Sequence, residues 1–136
     1  MELDKLKEQF LVDDDDVHTE RLEQLIRKAL PHCVVDRKGT VHLKGPDRSG
    51  KDQVKLVLAG RLVASKLDEV VSGDVSVEQL AEYTGLPKNQ AAARAKECLD
   101  EKFAQRSARG SYKARANKVE EFLNALSSGT PSGVRP

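Results

Sequence analysis

The chain has 136 residues, 38% of them hydrophobic and 33% charged, with a formal net charge of +1, a balance that suits one soluble globular domain with a modest core. No apolar run approaches membrane-spanning length, and the first ten residues, MELDKLKEQF, hold acids and no hydrophobic segment, so neither a membrane span nor a signal or transit peptide is expected. Two cysteines, Cys33 and Cys98, make no disulfide framework, and a cytoplasmic, intracellular location with free thiols is the expectation.

Leu3, Leu6 and Phe10 give a short first helix one apolar edge. The four acids Asp13 to Asp16 should break it and complement the dipole of the next helix. They lack the alternating ligands and the glycine of a Ca²⁺ loop, so no metal is expected there. Helix 17–30 places Leu22, Leu25, Ile26, Ala29 and Leu30 on one face and ends before Pro31. CVVD and TVHLK flank Arg37, Lys38 and Gly39, which reads as a β-hairpin with Val35, Val41 and Leu43 among its inward positions.

Gly45 to Asp52, GPDRSGKD, matches a phosphate-binding loop except at its last position, where Asp52 replaces the hydroxyl that would coordinate Mg²⁺. The hairpin before it alternates instead of being continuously apolar, and no series of alternating strands and helices follows. The loop is therefore expected to end in a serine or aspartate that caps the next helix. That helix, 52–71, is the most apolar: Val54, Leu58, Leu62 and Leu67 form a stripe widened by Val57, Ala59, Val63, Ala64, Val70 and Val71.

Ser76 is a good N-cap with Gln79 three residues on, Val77, Leu80 and Ala81 supply one face, and Gly85 can take the left-handed conformation that ends the helix at Thr84. Pro87 sets the backbone at or near the next start. From Lys88, Ala91, Ala95, Cys98 and Leu99 share one face, leaving Asn89, Gln90, Ala93, Arg94 and Lys96 on the others. FAQRS and SYKAR then alternate around Ala108, Arg109 and Gly110, a two-stranded hairpin with Phe103 inward. Val119, Phe122, Leu123 and Leu126 make an amphipathic last helix that either folds back on its own domain or pairs with its copy in a homodimer. Residues 127–136 read as a flexible tail.

Charge is uneven along the chain. Residues 1–36 hold ten acids and five bases, net −5, whereas residues 88–118 hold nine bases and three acids, net +6. The segment from Leu80 to Ala114, with LAEYTGLPK, KECLDEKF and a following hairpin, resembles the winged helix-turn-helix superfamily, and the likeness extends over residues 52–126 if the preceding helix is included. It departs from that pattern at Lys102, where a glycine is usual, and at Ala91, where a larger aliphatic residue is usual. The resemblance implies an α+β, mainly helical fold, a winged helix-turn-helix with an N-terminal helix and β-hairpin extension. The domain expectation is acidic helices and hairpin over 1–50, the winged helix over 51–126, and the tail.

What the resemblance implies for function is a transcriptional regulator that reads double-stranded DNA through a recognition helix, 88–102, and a basic wing, 103–115. The candidate DNA-binding residues are Lys88, Asn89, Gln90, Ala93, Arg94, Lys96, Arg106, Arg109, Lys113 and Arg115. Amides pair with adenine edges and guanidinium groups with guanine, while small alanines let a helix backbone approach the bases. For Arg94 the competing reading is an ion pair with Glu97. The alternative function is a winged-helix protein-interaction module without sequence-specific DNA binding. His32, Cys33 and His42 lie close in sequence, but their spacing fits no usual structural zinc pattern and the fourth ligand would have to be His18. No motif sets a nucleophile beside a base, so no catalysis, cofactor or metal is expected.

Overall fold

The computed structural model describes residues 2–10, 19–45, 48–68, 70–108 and 110–127. Asp13 to Asp16, His18, Arg109 and residues 128–136 of the tail lie outside them. The fold is α+β and mainly helical, with two small antiparallel sheets. The first helix, α1 (Glu2–Phe10), leaves Leu3, Leu6 and Phe10 exposed. α2 (Thr19–Ala29) buries Leu25 and Ala29. Leu30, expected on the inward face, is instead half exposed just past its end, where Leu30 N donates to Ile26 O.

β1 (Cys33–Val35) and β2 (Val41–Leu43) pair antiparallel with Cys33 opposite Leu43 and Val35 opposite Val41. Asp36 fixes the turn: its Oδ1 accepts from Lys38 N at 2.8 Å and Thr40 N at 3.1 Å, and Gly39 takes φ +93°, the left-handed region that the connection needs. Cys33 faces the core, where its Sγ lies 3.2 Å from the position a Gly60 Cβ would occupy. Glycine at 60 is thus what allows the hairpin to lie against α3.

α3 (Gly50–Leu67) is the axis of the core, with Val54, Leu56, Val57, Leu58, Ala59, Leu62 and Val63 buried. It begins two residues before the expected start because Ser49 is its N-cap, accepting from Asp52 N at 3.1 Å. It also ends earlier than expected. The cap Asp68 is extended, so Val70 and Val71 belong to the following loop, Val70 fully out in solvent and Val71 turned in; Leu67 is exposed as well.

β3 (Val75–Ser76) runs into α4 (Val77–Thr84), and α5 (Lys88–Asp100) follows. β4 (Ala104–Ala108) and β5 (Ser111–Ala114) make the second hairpin, but β3 adds a third strand, in the order β3-β5-β4. Two residues of backbone pairing carry no periodic signal, and β3 was accordingly invisible in the sequence. α6 (Ala116–Ser127) returns along the domain and packs on α2 and α3, burying Val119, Phe122 and Leu123. The face offered for pairing with a second copy is thus occupied within the chain. Phe122 meets Phe103 edge-on at 5.6 Å, and the Lys55 ammonium lies over both rings. One apolar cluster runs from Leu25 to Leu123 and joins the first hairpin, α3, α5 and α6 across residue 50. Among the described residues no helix is long and apolar enough to cross a membrane.

Arg61 is the one buried cation described in this core. Its Nε donates to Ser72 O at 2.8 Å, Nη1 to Gly39 O at 2.9 Å and Nη2 to Asp74 O at 3.0 Å. The guanidinium therefore ties the first hairpin's turn to the loop that enters β3.

Candidate nucleic-acid interface

The α4–α5 unit is set by local chemistry. Ser76 and Gln79 form a reciprocal capping box, Ser76 Oγ accepting from Gln79 N at 3.1 Å and Gln79 Oε1 from Ser76 N at 3.0 Å, which satisfies donors that a helix start otherwise leaves open. Gly85 at φ +80° ends α4, Leu86 N donates to Thr84 Oγ1, and Pro87 is the residue before α5. Leu86 then turns onto the start of α3, its Cδ1 3.3 Å from where a Gly50 Cβ would sit. Ala91, Ala95 and Cys98 are fully buried against α3 and α4. At Ala91 a larger residue would hold the helices apart, so the small side chain sets a close approach.

With that face buried, Asn89, Gln90, Ala93 and Lys96 are exposed on the outer side of α5, joined toward its end by Asp100. Lys88 is exposed and pairs with Glu78 at 2.9 Å; the hydrogen bond from Lys88 holds the Glu78 carboxyl below its usual range. Arg94 lies on the flank. Its stem borders Gly50, its Nε is buried with no hydrogen-bond partner among the described residues, and Nη2 reaches Glu97 at 3.4 Å. α5 stops at Asp100 and not at residue 102, because Lys102 adopts φ +66°. That is the left-handed conformation for which the superfamily's usual glycine is suited.

The β4–β5 hairpin distributes its cations over different sides. The Arg106 guanidinium stacks over Tyr112 at 5.7 Å. Lys113 lies along the loop before β3, its Cε 3.4 Å from a Gly73 Cβ position. Arg115 is half-buried, and its backbone N donates to Phe103 O. The hairpin turn is fastened to α4 by Val77 N donating to Gly110 O at 3.3 Å. Between them opens a cleft of about 580 Å³ lined by Val77, Glu78, Lys88, Asn89, Ala92 and Gly110, with walls that are nearly all carbon. The structure thus brings Lys88 and Asn89 beside the hairpin turn and sets Arg94 and Lys113 on other sides.

Other polar groups gather away from α5 and the second hairpin. A polar groove of about 530 Å³ lies between the first hairpin and the end of α4, with His42, Lys44, Arg48, Gln53, Glu82 and Thr84 on its walls. Its signal was the local run of bases in HLKGPDRSGK. Arg48 Nη2 contacts His32 Nδ1 at 2.6 Å, and burial, then the Arg48 charge, lowers the His32 pKa. In the phosphate-loop match, Ser49 serves as the helix cap, Lys51 and Lys55 both pair with Glu101, and burial raises the Asp52 pKa. Cys33 points into the core while His42 pairs with Asp36 at 3.1 Å on the other face of the hairpin. Among the described residues no group of three or more His, Cys, Asp or Glu side chains is placed to hold a metal ion. Burial pushes both thiols up to about 11, where they are poor nucleophiles at neutral pH. No family model, curated protein or solved structure matches this chain.

Proposed function

We propose that this chain is a winged-helix protein that binds duplex DNA, with α5 as the helix that enters the major groove and the β4–β5 hairpin as the wing, and that it acts in transcription regulation. The observation that carries the reading is the outer face of α5. Asn89, Gln90, Ala93 and Lys96 stand exposed on a helix whose other side is anchored by alanines, with the hairpin turn beside its first residues. Amides and a small residue at the exposed start of such a helix suit hydrogen bonding to base edges, and Lys88, Lys96 and Arg106 suit phosphate contact.

Binding to a random-sequence duplex, followed by fluorescence anisotropy from 50 to 200 mM salt, tests the proposal. With about four phosphates neutralised, the slope of log K on log salt is about −3.6, a fall of about two decades over that range. No binding by micromolar protein at 50 mM salt would sink it. One feature favours the second reading, a protein-interaction module: the cleft between α5 and the hairpin turn is lined by carbon, which suits an apolar side chain better than a phosphate. Salt-independent capture of a protein partner, lost on Ala92→Asp, would support that reading.

A further inference from the structure

Two apolar surfaces of this chain lack a partner in the structure, and they belong to neighbouring segments. One is the edge of α1, where Leu3, Leu6 and Phe10 are 65%, 54% and 86% exposed. Their i, i+3, i+7 spacing stacks them on one side of the helix. The other is a groove of about 220 Å³ between the end of α2, β1 and the second half of α3, walled by Ile26, Leu30, Val34, Val63, Ala64 and Leu67 and floored by Cys33 and Gly60. Leu30, Val34 and Leu67 are themselves 48%, 38% and 59% exposed at its rim.

We propose that the groove is a docking site for α1 from the same chain, which in a second conformation closes from its exposed position against the end of α2 as the first arm of a helical hairpin. Three observations choose this occupant. The groove offers almost no polar surface, so it selects a purely apolar edge, and α1 carries one. Its volume is below the roughly 300–1,000 Å³ of small-molecule pockets and suits two or three side chains. The tether is also the right length. Eight residues, 11–18, separate the two helices; nine steps of chain span at most about 30 Å at roughly 3.3–3.6 Å each. The groove begins at Ile26, seven residues along α2 from Thr19, about 10 Å at 1.5 Å per residue. A short tether gives the two surfaces an effective concentration in the millimolar range, well above that of a second copy at micromolar protein. The inference is independent of the DNA-binding reading, because neither surface includes a residue of α5 or the second hairpin.

Cross-linking in the full chain tests it. The native thiols are buried and carry pKa values near 11, so a short bis-maleimide at neutral pH reacts with introduced cysteines. The pair Leu6→Cys with Leu67→Cys is compared with Lys5→Cys with Leu67→Cys, since Lys5 points about 100° around α1 from Leu6 and off the apolar edge. Circular dichroism first verifies that each variant is folded. Docking gives an intramolecular product about tenfold faster for the Leu6 pair than for the Lys5 pair, at a rate independent of protein concentration, and Phe10→Asp removes the difference. Equal rates for the two pairs would mean proximity through the tether alone and overturn the proposal. So would a covalent dimer whose yield rises with concentration, which assigns the groove to a second copy, and so would the absence of any product.

Discussion

Replacing Arg61 by methionine should cost about 2–4 kcal/mol of stability. The guanidinium is 5% exposed and spends its fork on three carbonyls, Gly39 O, Ser72 O and Asp74 O, at 2.8–3.0 Å, with the Tyr83 hydroxyl 3.4 Å from Nη1. Hydrogen bonds from a charged donor are worth about 1.5–3 kcal/mol each, which makes roughly 4.5–9 kcal/mol for the three. Against this stands the desolvation of a cation whose hydrogen bonds here go to carbonyls and a hydroxyl, several kcal/mol that methionine does not incur. Ser72 is exposed and Asp74 partly so, and their carbonyls can regain water, whereas the Gly39 carbonyl is buried, which leaves a net loss of about 2–4 kcal/mol. Unfolding entropy of roughly 2.1 cal/mol/K per residue gives about 0.29 kcal/mol/K for 136 residues, so the midpoint should drop by about 7–14 °C. Thermal and urea unfolding followed by circular dichroism measure this, and hydrogen exchange should accelerate at Thr40 and Val75. Arg61→Lys should recover little, because one ammonium cannot span three carbonyls. A methionine variant within 0.5 kcal/mol of wild type would show that the fork does not hold the hairpin turn to the loop before β3.

Acid should destabilise the fold through His32. Its folded pKa is below the ordinary value near 6.5, so the unfolded chain takes up the proton first; the contribution is fully present above about pH 6.5 and is lost as pH falls below it. Urea midpoints at pH 7.5 and 5 should differ, and His32→Gln should shrink the difference; an unchanged gap would remove His32 from the cause. Lys102→Gly should stabilise by about 0.5–1 kcal/mol, the left-handed penalty of a lysine less the backbone entropy of glycine, and a lower melting point would contradict the φ of +66°. If the DNA reading holds, Gln90→Ala should relax base preference at one position by about 1–3 kcal/mol while leaving non-specific affinity nearly intact; selection over random duplexes measures it, and an unaltered preference would take Gln90 off the bases.

The elements that were legible in the sequence are those whose signal is local. Ser76, Gln79 and Gly85 write the limits of α4 in capping chemistry, and the first hairpin is written by Gly39 with Asp36 behind it. The buried face of α5 follows from the spacing of Ala91, Ala95 and Cys98. What escaped depends on distant partners. β3 exists because β5 lies beside it, the early end of α3 depends on Asp68 turning extended, and Arg61 reads as an ordinary helix cation until Gly39, Ser72 and Asp74 converge on it.

The same division runs through the candidate interface, and Arg94 shows its physical origin. It stands between Ala91 and Ala95, both fully buried, so its Cβ leaves the helix at the border of the packed face and either direction is open to it by periodicity alone. In the folded chain the arginine stem passes beside Gly50 at the start of α3, its Cγ 3.8 Å from where a Gly50 Cβ would sit, and Glu97 receives the head. Of the cations on α5, that leaves Lys88 and Lys96 on the exposed side, and the Lys88 pair with Glu78 is so exposed that it yields readily to a phosphate. In the proposed complex, then, the amides of α5 carry base preference, while the salt-dependent attraction comes from Lys88 and Lys96 on α5 and from Arg106 on the second hairpin's exposed side. Truncating these cations and truncating the α5 amides should therefore have separable effects, the first on salt slope and the second on sequence preference.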